Sequence, residues 1–82
     1  MPKDADPLFP VPPAAEQERL VEALLFASPE PLSAEEIAQR LPEGCDAEAA
    51  LDALARRYAG RGVSLSRAGR GWAFRTAEDV AR

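Results

Sequence analysis

The stretch Val63-Ser64-Leu65-Ser66-Arg67-Ala68-Gly69-Arg70-Gly71-Trp72-Ala73-Phe74-Arg75-Thr76 decides the fold. Its apolar residues alternate with polar or small ones, the period of a strand with one buried face. Gly69-Arg70 at the centre suits a two-residue type II′ turn, which wants glycine first. That turn opposes Arg67 to Trp72 and Leu65 to Phe74, so both apolar sets fall on one side of the ribbon. Turn chemistry and hydrophobic register specify the same hairpin.

Upstream the period changes from two to about 3.6. Asp46 is a suitable N-cap for a helix running through Tyr58, with Ala47, Ala50, Leu51, Leu54, Ala55 and Tyr58 on its inward stripe. Gly60 and Gly62 stop it. Before it, Ser33-Ala34-Glu35-Glu36 reads as a capping box opening a short helix whose apolar face is Ile37, Ala38 and Leu41. Pro42 and Gly44 end that helix. A first helix is expected from Ala14 to Ala27, burying Leu20, Val21, Leu24 and Leu25. Ser28-Pro29-Glu30-Pro31 breaks it, because a residue before proline is pushed out of the α region. Leu32 then sits in an extended bridge with room for a residue or two of β pairing.

Residues 1–13 contain five of the chain's eight prolines and read as a disordered Pro-rich leader. As a ligand for an aromatic groove, its proline spacing is weak evidence. Thr76 with Asp79 resembles the cap of a further helix that the chain leaves at Arg82. Residues 14–82 thus form one domain, α+β and mostly α. Three helices precede a two-stranded hairpin, the order of a winged helix-turn-helix.

Composition narrows the chemistry. Of 82 residues, 46% are apolar and 29% charged, the balance of a soluble globular domain. There is no histidine, and Cys45 is the only cysteine, so neither a disulfide within the chain nor a Cys/His zinc site can be built. With no histidine to activate it, Cys45 reads as an inert thiol. Adjacent carboxylates such as Glu35 and Glu36 point in different directions on a helix, and Glu36 already has a capping role. The expectation is no enzyme, no cofactor and no metal. No apolar run approaches the ~20 residues of a membrane span, and the N-terminus lacks the pattern of a secretory signal. The chain reads as cytoplasmic.

The net charge of −4 hides a division: residues 1–55 carry −9, and residues 56–82 carry +5. The basic third can meet an acidic surface or simply balance the acidic half. Phe26, Phe74 and Leu65 read as core. Trp72, near the tip of the hairpin, either stacks on Arg67 across the strand pair or anchors an interface. Trp72, Arg67, Arg70 and Arg75 are therefore the candidate interface residues.

The run Glu22-Ala23-Leu24-Leu25-Phe26-Ala27-Ser28-Pro29-Glu30-Pro31-Leu32-Ser33, with Glu36-Ile37-Ala38 after it, closely resembles the opening of segregation and condensation protein B. Gly71-Trp72-Ala73-Phe74-Arg75-Thr76 is similar to that family's first wing, and the likeness covers residues from 16 to 80. The resemblance implies a non-catalytic accessory subunit of the bacterial condensin complex, active in chromosome condensation and segregation. It implies a homodimer that binds the kleisin subunit, segregation and condensation protein A, and through it the ATPase of the structural-maintenance-of-chromosomes complex. Association with DNA would then be indirect. Family members carry two winged-helix domains in tandem, and the chain is expected to hold the first without the second.

The alternative is a DNA-binding winged-helix transcription regulator. Its recognition helix would be the third. The N-terminal half of that helix carries Asp46, Glu48 and Asp52, and positions 46–55 contain none of the Arg, Lys, Asn or Gln used in direct readout. Arg67, Arg70 and Arg75 on the wing keep phosphate contact open, but so few contacts supply only weak, salt-sensitive affinity.

Overall fold

The computed structural model describes residues 10–76. Helix α1 spans Ala14–Ala27, α2 Ala34–Arg40 and α3 Ala47–Tyr58; strands β1, Val63–Ala68, and β2, Gly71–Thr76, follow. The strands form an antiparallel hairpin in the expected register, with Leu65 opposite Phe74 and Arg67 opposite Trp72. Gly69 opens the two-residue loop at φ +64°, the sign a type II′ turn needs at its first central position. The order and topology are those of a winged helix.

Short side-chain caps hold α2 and α3. Ser33 Oγ accepts from the Glu36 amide at 3.0 Å, and Glu36 Oε1 accepts from the Ser33 amide at 2.8 Å. The capping box is complete. It matters for α2, whose 7 residues are too few to be helical without tertiary support. Asp46 caps α3 in the same manner, accepting from the Ala49 amide at 3.1 Å. Ser33→Ala is expected to cost about 1 kcal/mol and to lower the thermal midpoint by about 4–8 °C in a domain of this size. Circular-dichroism melts of parent and variant check this; coincident curves would mean that packing alone holds α2.

The core lies where the helices meet the inner face of the hairpin. Val21 and Leu25 come from α1, Ile37 and Leu41 from α2 and its end, Ala47, Ala50, Leu51 and Leu54 from α3, and Leu65 from β1. Leu32 completes it. Its amide donates to the Trp72 carbonyl at 3.1 Å, and the Trp72 amide donates back to the Leu32 carbonyl at 2.7 Å. The bridge anticipated from the Pro-rich turn is thus a one-residue third strand that joins the wing to the helical body.

Four burial expectations need correction. Phe74, read as core, and Ala55 and Tyr58, placed on the inward stripe of α3, are half-buried and pack against the margin of the core. Phe26, read as core, is 59% exposed. It is the last residue but one of α1, and its position points past the core. Ala38, assigned to the apolar face of α2, is exposed, while Ile37 and Leu41, one turn apart, are buried. On α1 only Val21 and Leu25 are buried, while Leu20 and Leu24 lie half-buried at the margin, since one turn of contact admits a narrow stripe.

The leader expected over 1–13 falls outside the described residues for 1–9. Its last four residues carry no helix or strand. Val11 packs against Gly44, and the Pro12 carbonyl accepts from Gln17 Nε2 at 2.7 Å. The helix expected after Thr76 also falls outside the described residues.

Candidate functional site

A strand places alternate side chains on opposite faces. On this hairpin Leu65, Arg67, Trp72 and Phe74 face the helices, while Ser66, Ala73 and Arg75 face away. The four candidate interface residues are therefore divided. Arg67, Arg70 and Trp72 come together at one corner, and Arg75 lies on the other side of the ribbon.

At the corner, the Trp72 backbone is pinned by Leu32 and its ring is half-buried. The Arg67 guanidinium lies over that ring, 5.3 Å from its centroid, within cation–π range. The stacking reading of Trp72 holds. Arg67, Arg70 and Trp72 share a shallow depression with Glu35 at the start of α2 and Glu48 at the start of α3. The corner has an aromatic centre with both charge signs around it, and nothing in it resembles a catalytic array. Among the described residues no three His, Cys, Asp or Glu side chains gather as metal ligands. No described helix is long and apolar enough to cross a membrane.

The second feature is an aromatic cluster on the far side of Leu65. Phe26 and Phe74 stack with ring centroids 4.3 Å apart and planes 8° apart. Tyr58 meets Phe74 edge to face at 4.8 Å. The Tyr58 hydroxyl donates to the Glu22 carboxylate. Holding that proton for a carboxylate keeps the phenol above its ordinary pKa. One turn earlier on α1, Glu18 pairs with Arg57. Glu18 and Glu22, four residues apart, form one row that fastens α1 to the end of α3. Their spacing is visible in the sequence, but their partners are not.

Beside Phe26, a groove of about 340 Å³ runs between the Pro29–Pro31 bridge and the outer edge of β2, and it includes Glu30, Ala73 and Arg75. Sequence reasoning missed this groove because it placed Phe26 in the core. The signal was the position of Phe26 two residues before the helix-breaking Ser28-Pro29, where a stripe is already turning away from its partner.

The acidic half of α3 is at the surface. Asp46, Glu48 and Asp52 are all exposed, as are Arg56 and Arg57 at the other end.

The family model of the segregation and condensation complex subunit ScpB matches residues 19–82. Among solved structures, the chain is similar to ScpB from Mycobacterium tuberculosis, with 28% identity and a TM-score of 0.73, covering 85% of this chain and 46% of that one. It is similar to an ScpB N-terminal domain solved as a dimer complexed with ScpA peptide, with 30% identity and a TM-score of 0.70, covering 80% of each. A conserved hypothetical protein from Chlorobium tepidum matches at 27% identity and a TM-score of 0.70, over 83% of this chain and 45% of that one. The chain thus spans a little under half the length of the M. tuberculosis and C. tepidum proteins. No curated protein matches it.

Proposed function

Because this chain belongs to the family of segregation and condensation complex subunits ScpB, we propose that it is a non-catalytic accessory subunit of a bacterial SMC–kleisin complex. It acts in chromosome condensation and segregation by pairing with a second copy and binding ScpA. The observation that carries this reading is the relative at 30% identity, matched over 80% of both chains, that was solved as a dimer complexed with ScpA peptide. The partner's segment is assigned to the corner of Arg67, Arg70 and Trp72. A half-exposed aromatic ringed by charge has the anatomy of an interaction surface.

The exposed carboxylates of α3 weigh against a DNA reader. A recognition helix meets base edges with its N-terminal half, and here Asp46, Glu48 and Asp52 would face phosphates.

Titration calorimetry with the central ScpA segment tests the proposal, beside anisotropy with duplex DNA at physiological salt. The parent is expected to bind the ScpA segment. Arg67→Glu with Arg70→Glu, both exposed positions, is expected to weaken it by about tenfold, as loss of a well-placed interface contact does. Specific duplex binding, which reaches about 10⁻⁸ M in DNA-reading domains, is expected to be absent. Tight sequence-dependent duplex binding, with no response to ScpA, would overturn the proposal in favour of a transcription regulator.

A further inference from the structure

Phe26 is the one large aromatic that the described residues leave mostly in solvent, 59% exposed. It does not stand alone. Its ring is stacked on Phe74 and borders the groove formed with Pro29 and Pro31. An exposed stacked aromatic beside two prolines is a preorganised apolar surface. Neither ring must be ordered on contact, so little entropy is lost there on association. Contiguous apolar surface rimmed by charge marks an interaction site.

The rim identifies the occupant. Glu30 and Arg75, of opposite sign, line the same groove and are both exposed. Among the described residues neither forms an ion pair. In a two-fold contact residue i of one copy meets residue j of the other, and j meets i. A patch with an apolar centre, one cation and one anion is complementary to itself: Phe26 meets its counterpart near the axis, and each Glu30 faces the Arg75 of the other copy. A partner of single net charge would satisfy one rim residue and oppose the other.

We propose that the Phe26 groove is the homodimer seam of this protein, occupied by a second copy of the chain, with reciprocal Glu30–Arg75 pairs fixing its register. This rests on the dimer reading above and adds its location. It keeps the dimer contact apart from Trp72 and leaves that corner to the ScpA segment. It also gives Arg75, separated by the fold from the other candidate residues, a role of its own.

Analytical ultracentrifugation of the full chain provides the test. The parent is expected to dimerise at about micromolar concentration, and Phe26→Glu to weaken dimerisation by about tenfold or more, as loss of a central aromatic anchor does. Charge reversal supplies arms that leave the core untouched. Glu30→Arg and Arg75→Glu should each weaken self-association, since like charges then face each other twice across the axis. Mixed in equal amounts, these two variants should form a heterodimer about as tight as the parent, because both pairs are restored with reversed sign. The double variant should dimerise like the parent for the same reason. A parent that remains monomeric at high concentration would overturn the dimer reading and the seam with it. A parent dimer indifferent to all these changes would overturn the seam alone. Loss of ScpA binding by Phe26→Glu with dimerisation intact would also overturn it, making the groove the peptide's seat.

Discussion

Leu54→Ala is expected to remove most of the stability of this domain. Leu54 is fully buried on α3, the helix that touches α1, α2 and β1, so no other element can close over the space it leaves. Truncating a buried leucine costs about 2–5 kcal/mol, the upper end where the site cannot collapse. A domain of this size has on the order of 5 kcal/mol in total. Urea denaturation followed by helical circular dichroism should show the variant partly unfolded without denaturant. Leu54→Met, which roughly conserves volume, is expected to cost less than about 1.5 kcal/mol. If Leu54→Ala kept the parent's midpoint, the core would not be centred on α3.

Gly71→Val is expected to be almost as damaging, for a different reason. A Cβ at position 71 would lie 2.8 Å from Pro31 Cβ and 3.0 Å from both Leu32 N and the Pro31 carbonyl carbon. Two of those three are backbone atoms of the bridge, and moving them breaks the paired Leu32–Trp72 hydrogen bonds of 2.7 and 3.1 Å. Overpacking costs about 1–3 kcal/mol, and each hydrogen bond lost adds about 1 kcal/mol. Together they approach the cost of the core truncation. Trp72, the only tryptophan, reports the event directly: its fluorescence should shift toward the solvent-exposed value well before the helical signal is lost. Gly62→Ala is the control, because nothing lies within 4 Å of its Cβ position and its φ is not positive. Equal melting of Gly71→Val and parent would mean that the bridge does not couple the wing to the helices.

Dimerisation enters both measurements. A partner that binds only the folded chain raises apparent stability by mass action, so midpoints belong at one fixed protein concentration.

The sequence by itself determined the elements and their order. Helix starts were written in local chemistry, in Ser33 with Glu36 and in Asp46, because a cap is an exchange of hydrogen bonds within four residues. The hairpin register was written in Gly69 and the alternation around it, since a two-residue turn leaves a single pairing. Even Leu32 as a pairing residue was legible, from the prolines that force extended backbone before it. The inward stripe of α3 was legible from Ala47 to Leu54, where the helix is covered and a period of 3.6 maps onto burial, while Ala55 and Tyr58 at its end are half-buried.

Only the tertiary structure decided where burial ends and what the surface holds. Phe26 continues an apolar run, yet the core ends at Leu25, the residue before it, and Phe26 stacks on Phe74 from the solvent side. Arg75 was grouped with Arg67 and Arg70 by composition, but strand alternation carries it to the opposite face. Glu18 and Glu22 gain their partners only because α3 brings Arg57 and Tyr58 across from them, 39 and 36 positions away. Periodicity reports that a residue faces some neighbour. Which neighbour, and whether it extends that far, depends on how separate elements cross, and the crossing is set by all the side chains of the core acting together.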